Sequence, residues 1–288
     1  MSASHRIKFV CDSATDLPAA WRARWAISVI PVFVNFGDES FPDDGISLTH
    51  DAFYRRMAES KTPPTTSAPS PGVAADVLRE ALEGAEHVIT FTISPAVSST
   101  YNAVRLAAQQ VDAERITVCD TGTMSMATGW QIVAACEARE RGTDVAGILA
   151  AVADARSRAD VWAIPGSLEY LRRSGRVNRI ISSIGTLLQI KPIITVKDGM
   201  LDSKQRARTI KKALEFVADA IRQRAPLEGL AILHTNAPEL AEQMRLLLAD
   251  IAPAAPDKTV VLNVAAAIGV HFGPGSVGAA TLRAPHTS

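Results

Sequence analysis

The sequence is poor in the residue patterns from which metal, redox and hydrolytic centres are built. Its 288 residues include three cysteines, Cys11, Cys119 and Cys136, with no CxxC pair among them. A zinc or dithiol centre therefore has no local motif. Each cysteine lies in an apolar stretch, the usual setting of an inert core thiol. The six histidines (His5, His50, His87, His234, His271 and His286) are scattered, without HExxH or paired-ligand spacing. No metal and no cofactor are expected. The P-loop pattern GxxxxGK[ST] is missing, and so is the nucleophile elbow GxSxG. No apolar run approaches the roughly 20 residues of a membrane helix, and the opening MSASHRIKFV lacks the apolar segment of a signal peptide. Thirty basic residues balance thirty acidic ones, without the basic excess of a nucleic-acid protein. The expectation is a soluble cytoplasmic protein with no nucleic-acid partner.

What is present is an ordinary globular composition, 47% hydrophobic and 21% charged, at a length that suits about two domains. The first half reads as alternating strand and helix. Ile7 to Val10, Val88 to Ile93 and Ile116 to Val118 are short apolar runs. Between the last two, Tyr101, Val104, Ala108 and Val111 share one face at helical spacing. Val73, Val77 and Ala81 do the same after the start signal Ser70-Pro71-Gly72. This order predicts a parallel sheet with crossover helices. Ile30 to Phe41 reads instead as a hairpin around Gly37-Asp38. Helices are predicted over Thr128 to Arg141 and Val145 to Arg156.

Beyond that point strands become more frequent: Val161 to Ile164, Ile193 to Val196, Leu230 to Leu233, Thr259 to Val264 and Ser276 to Leu282. Two amphipathic helices are predicted among them, Ser203 to Arg224 and Pro238 to Asp250. The fold class is α/β, divided into an N-terminal domain over 1–159 and a C-terminal domain over 160–288, the second with a mixed or antiparallel sheet.

Gly273 to Gly278 matches GxGxxG by letter. A dinucleotide site also needs a following helix and an acidic residue about 20 positions on, and ten residues do not hold them. Four hydroxyl- and glycine-rich segments remain, expected as turns: Thr65 to Ser70, Ser94 to Tyr101, Gly185 to Pro192 and His271 to Gly275. Taken singly, each suits a loop, and Ser70 and Ser99 are placed to cap the helices that follow.

Together the segments resemble one family. Phe9-Val10-Cys11-Asp12-Ser13-Ala14-Thr15-Asp16-Leu17-Pro18 resembles the N-terminal TDSTADLP signature of the DegV family. Thr66 to Ser70 is similar to its TSxPS motif, and Ser94 to Tyr101 to its SxxLSGTY loop. Ser167 to Val177 resembles its LEYLxxGGRI segment. Lys191-Pro192-Ile193, Arg208-Thr209 and the Gly269 to Gly275 ending (HxGPG in the family) follow in family order. Ser99 stands where the family usually has glycine, and Ser174 replaces the first glycine before Gly175-Arg176.

The resemblance implies a two-domain DegV-like fold that holds a long-chain fatty acid at the domain interface. Some members serve as the B subunit of bacterial fatty acid kinase, offering the bound acid to an ATP-using partner that makes the acyl phosphate. It further implies that Thr66, Ser98 and His271 touch the carboxylate, with Ser67 and Ser94 of the same motifs beside them. Such a protein carries no chemistry of its own and makes at most peripheral membrane contact while exchanging lipid. A long dry cavity with a few donors at its mouth suits a lipid acid.

Two basic clusters, Arg172 to Arg179 and Lys204 to Lys212, fit a solvated surface equally well as a docking face. The resemblance favours docking of the kinase subunit, with Arg176 and Arg208 as contacts. Two alternatives stay open: a serine-dependent esterase or acyltransferase using Ser98 and His271, and a lipid-sensing regulatory protein.

Overall fold

The computed structural model describes residues 6–175, 190–197 and 199–285. Three sheets organise them. The first is fully parallel, with β1 (Ile7–Asp12) flanked by β2 (Ser28–Ile30) and β6 (His87–Thr92), and β7 (Ile116–Asp120) outside β6. Phe9 lies opposite Ile89, and Phe91 opposite Cys119. β1 and β6 are buried on both faces, which is why they read as unbroken apolar runs rather than alternating ones.

Helices α3 (Pro71–Leu82) and α4 (Thr100–Val111) cover one face, packing Ala74, Leu78, Val104 and Ala107 onto Val10, Ile30 and Val88. The Ser70 side chain caps α3 by accepting from the Val73 N–H at 3.2 Å. Ser99 sits at the N-cap of α4 without a side-chain cap bond, at φ −78°. A glycine is therefore not required at Ser99, and the departure from the family pattern there costs no backbone strain.

Against the other face lies α5 (Met126–Glu140), followed by α6 (Val145–Arg158). α5 is apolar nearly all round, as a helix buried on both sides must be. Its far side meets the second sheet. This sheet has six strands in the order β10, β9, β8, β13, β11, β12, given by β8 (Ala159–Ile164), β9 (Lys191–Lys197), β10 (Met200–Ala207), β11 (Leu227–Thr235), β12 (Thr259–Asn263) and β13 (Ser276–Arg283). Every pair is antiparallel except β11 with β12, so the sheet is mixed.

Trp130 of α5 is fully buried between the two layers, and its Nε1 donates to the Ala280 carbonyl at 3.1 Å. Gly229 passes so close that an added Cβ would lie 2.9 Å from the indole. Helices α8 (Ile210–Arg222) and α9 (Pro238–Leu247) cover the outer face of the second sheet.

The expected hairpin forms from β3 (Phe33–Phe36) and β4 (Glu39–Pro42). It gains a third strand, β5 (Thr65–Ser67), with Thr66 opposite Val34. Thr65 to Ser67, expected as a turn, is thus an edge strand. The helix expected from Ser203 is also shorter than its pattern. Ser203 to Ala207 belongs to β10, paired with β9 through Gln205–Ile193 and Ala207–Lys191, and α8 begins only after its cap, Thr209. Pairing with a neighbouring strand overrides the helix propensity of Lys, Gln, Arg and Ala there. Three short helices carried too few turns to show a period: α1 (Ala19–Trp25), α7 (Leu168–Arg173) and α10 (Ala266–Phe272); α2 (His50–Glu59), with Phe53, Tyr54 and Met57 on its buried face, was also not expected.

Candidate functional site

Three of the five hydroxyl and imidazole groups singled out from the sequence meet at one cavity. Thr66 comes from the edge strand β5, Ser98 from the loop before α4, and His271 from the last turn of α10. Thr66 Oγ1 and His271 Nε2 share a hydrogen bond of 3.0 Å. Ser98 Oγ is bonded to Thr100 Oγ1 at 2.9 Å and accepts from the Thr100 N–H at 3.2 Å. The remaining wall is apolar, including Ile93, Val97, Met124, Leu171, Leu201 and Phe272. The cavity is narrow, about 50 Å³. A second cavity of about 30 Å³ adjoins it, sharing Met124, Ile268 and Phe272 and reaching Ala163, Leu233 and Val277, with Ser125, His234, Thr235 and Ser276 also in its lining.

Ser67 and Ser94 do not line this cavity. Ser67 is exposed on β5 and receives a bond from Asn35 Nδ2 at 3.3 Å. Ser94 Oγ donates to the Gly199 carbonyl at 2.5 Å and accepts from the Ala96 N–H, tying its loop to the turn between β9 and β10. His271, expected in a turn, is helical, and the turn begins only at Gly273. Gly273 has φ +69° and Gly275 has φ +82°, which suits glycine. Gly166 crosses this turn so closely that a Cβ on it would overlap the Pro274 carbonyl. The GxGxxG match is therefore a tight turn entering β13. Arg208 is exposed between β10 and α8, whereas Arg176 lies outside the described residues.

The sequence reading missed a set of carboxylates beside the cavity. Asp12 Oδ1 accepts from the Ala14 N–H at 2.9 Å, and Oδ2 accepts from the Ile93 N–H at 2.8 Å. Asp16 accepts from the Ala265 N–H at 2.7 Å and from the Ser125 hydroxyl. Asp43 accepts from the N–H groups of Ala266 (3.0 Å) and Ala267 (3.3 Å), and from Ser13 Oγ (3.3 Å). Burial raises Asp12 and Asp16 to about 7, against the opposing pull of these hydrogen bonds. Asp43 is also raised by burial. The only hint in the sequence was the recurrence of aspartate in the N-terminal signature; nothing local singles out Asp43.

These carboxylates border a groove of about 410 Å³, lined by both polar and apolar side chains, that also includes Arg22, His50 and Asn263. Among the described residues no group of three His, Cys, Asp or Glu side chains could hold a metal ion. Burial pushes the Cys11 and Cys119 thiols up to about 12, and Cys136 higher still, as expected of unreactive thiols.

The architecture is that of an α/β protein with a largely apolar cavity whose wall carries hydroxyl and imidazole groups. The chain belongs to the DegV family, whose model, described as "Uncharacterised protein, DegV family", matches residues 6–284. A DegV domain-containing protein of Deinococcus radiodurans is 32% identical over 277 residues, covering 95% of this chain and 97% of the relative. One from Streptomyces coelicolor is 30% identical over 279 residues, covering 96% and 98%. Among solved structures, the fold is similar to that of a fatty-acid-binding DegV family protein from Thermus thermophilus. Their TM-score is 0.88 at 32% identity, covering 97% of this chain and all of the other. It is also similar to DegV, a fatty acid binding protein from Bacillus subtilis, with TM-score 0.84, 25% identity and coverage of 97% and 99%.

Proposed function

We propose that this protein binds a long-chain fatty acid, with its carboxylate at Thr66, Ser98 and His271 and its chain along the apolar walls of the two adjoining cavities. The observation that carries the reading is the meeting of these three polar groups in the wall of an otherwise apolar cavity. The fatty-acid-binding descriptions of the similar structures support it. Burying a methylene is worth about 0.8 kcal/mol, so a long chain contributes on the order of 10 kcal/mol before binding costs. A buried carboxylate must be hydrogen-bonded, and hydroxyls with an imidazole do this without a fixed salt bridge. Met124 and Phe272 line both small cavities, so an acyl chain that runs through both has to displace these side chains, which suits the flexible methionine.

The site lies between the proposed domains 1–159 and 160–288: Thr66 and Ser98 come from the first, and Leu171, Leu201 and His271 from the second. The Ser98 hydroxyl engages Thr100 and the His271 Nε2 engages Thr66. This pairing favours carboxylate binding over the esterase reading, in which serine and histidine bond to each other.

Within the same reading the protein is a cytoplasmic carrier. It presents the bound acid to an ATP-dependent kinase subunit through a face that includes Arg176 and Arg208, with membrane contact only during lipid exchange. Native mass spectrometry of protein purified from a bacterial host tests the central claim: the expected result is one acyl chain per protein. Organic extraction that yields no lipid at comparable stoichiometry overturns it. Arg208→Ala is expected to preserve lipid affinity and lower coupled acyl-phosphate formation, and wild-type turnover would remove Arg208 from the docking face.

A further inference from the structure

α10 carries His271 in its last turn, yet its own sequence supplies no N-terminal cap. The residue at the N-cap is Ala265, which has no side-chain acceptor, and Ala266 and Ala267 follow it. An uncapped helix start leaves backbone N–H groups without partners. Here they are met from more than 220 residues away in sequence. Asp16 accepts from Ala265, and the two oxygens of Asp43 take Ala266 and Ala267. Ser13 links Asp43 to the start of the hairpin, donating to its carboxylate and accepting from the Val32 N–H at 3.0 Å.

The helix is gripped on its sides as well. A Cβ at Gly269 would lie 2.7 Å from the Tyr54 hydroxyl oxygen, and one at Gly273 would overlap the Tyr170 ring. α10 is therefore held by groups from several distant elements, and it presents Ala267, Ile268, His271 and Phe272 to the cavity.

We infer that Asp43, assisted by Asp16, is a positioning residue for His271: by capping α10 it sets the height of the imidazole against Thr66. The three N–H bonds fix the start of the helix axis, and a seven-residue helix transmits a shift at its first turn directly to its last. Anionic oxygens at a helix start are also favoured by the helix dipole. Loss of the cap should therefore change the Thr66–His271 bond without removing any group from the cavity wall. The inference rests on the fatty-acid reading only for its effect on affinity, since the effect on His271 itself can be observed without lipid.

The test combines nitrogen-15 NMR of the histidine rings with displacement of a fluorescent fatty acid by palmitate, His271 being assigned by its loss in His271→Ala. In Asp43→Ala, the His271 ring resonances are expected to move and palmitate affinity to fall about tenfold, the scale of a lost cap and its consequences. Adding Thr66→Ala should then cost less than it does in the wild type, because the two changes act on one bond. Asp43→Asn keeps one of the two acceptor oxygens at the helix start and should restore both readouts in part. Ser13→Ala, which removes the hydroxyl that supports Asp43 and also accepts from the Val32 N–H, should give a smaller shift in the same direction, and it replaces Asp43→Ala in the comparison if that variant does not fold.

Unchanged His271 resonances, in a folded Asp43→Ala or failing that in Ser13→Ala, overturn the inference. So does full additivity of the Asp43 and Thr66 changes. Should wild-type protein fail to bind palmitate, the fatty-acid reading falls, and the ring resonances alone decide the role of Asp43.

Discussion

Thr66 and His271 stand 205 positions apart in sequence and share a 3.0 Å hydrogen bond. One lies in a three-residue edge strand, the other in the last turn of a seven-residue helix. Neither element is stable alone. The pair exists because the small sheet, α2 and α10 pack into one cluster around Val34, Phe53, Tyr54 and Val270.

Removing either cavity hydroxyl tests the carboxylate site. Thr66→Ala and Ser98→Ala should each weaken fatty-acid binding by about 1.5 to 3 kcal/mol, the worth of a hydrogen bond to a charged group. Ser94→Ala should affect affinity less, since its hydroxyl serves Gly199. Titration of the three variants with one fluorescent fatty acid ranks them, and an equal loss in all three would relocate the head group.

The layer between the two large sheets depends on Trp130. Trp130→Ala should destabilise the protein by about 3 to 5 kcal/mol in urea unfolding, through loss of buried aromatic volume. Trp130→Phe keeps most of the ring but loses the hydrogen bond to the Ala280 carbonyl, adding about 0.5 to 1.5 kcal/mol to the smaller cavity cost. A loss below 1 kcal/mol in Trp130→Ala would contradict its place in the core.

The pH dependence of stability carries a definite sign at Asp12. Its folded value is raised from 3.8 to about 7 by burial, so the native state binds this proton more tightly than the unfolded chain does. Its contribution to stability is fully present below about pH 4 and is lost as pH rises to about 7. Asp16 shifts the same way but is partly open to solvent, which makes Asp12 the cleaner test. Asp12→Asn should flatten the fall in urea midpoint between pH 4 and 7. An unchanged profile would show that Asp12 titrates elsewhere.

Gly273 closes α10 at φ +69°, and an added Cβ would overlap Tyr170. Gly273→Ala should lower both the melting temperature and fatty-acid affinity, because the strain falls two residues from His271. Combining it with Tyr170→Ala should relieve the steric part only, leaving the backbone cost of φ +69° with ψ 170°, about 1 to 3 kcal/mol. Complete rescue by Tyr170→Ala would show that the backbone conformation itself is inexpensive.

Local pattern was enough to reveal the parallel sheet, the hairpin, most of the helices and the hydroxyl segments at the cavity. Buried strands are continuous apolar runs, and amphipathic helices repeat at their own period, so both can be read from neighbours in the chain. The resemblance to the DegV family rested on short motifs for the same reason. What neighbours in sequence cannot specify is which distant group completes an element. The run Ser203 to Ala207 has helical propensity and became a strand because β9 lies beside it. Thr65 to Ser67 resembles a loop and became a strand because Val34 and its flanking residues offered it an edge. The start of α10 has no cap of its own, so only the tertiary structure could bring Asp16 and Asp43 to its N–H groups. Backbone donors leaving water must find acceptors wherever the fold supplies them, and for the helix that bears His271 the acceptors lie more than 220 residues away.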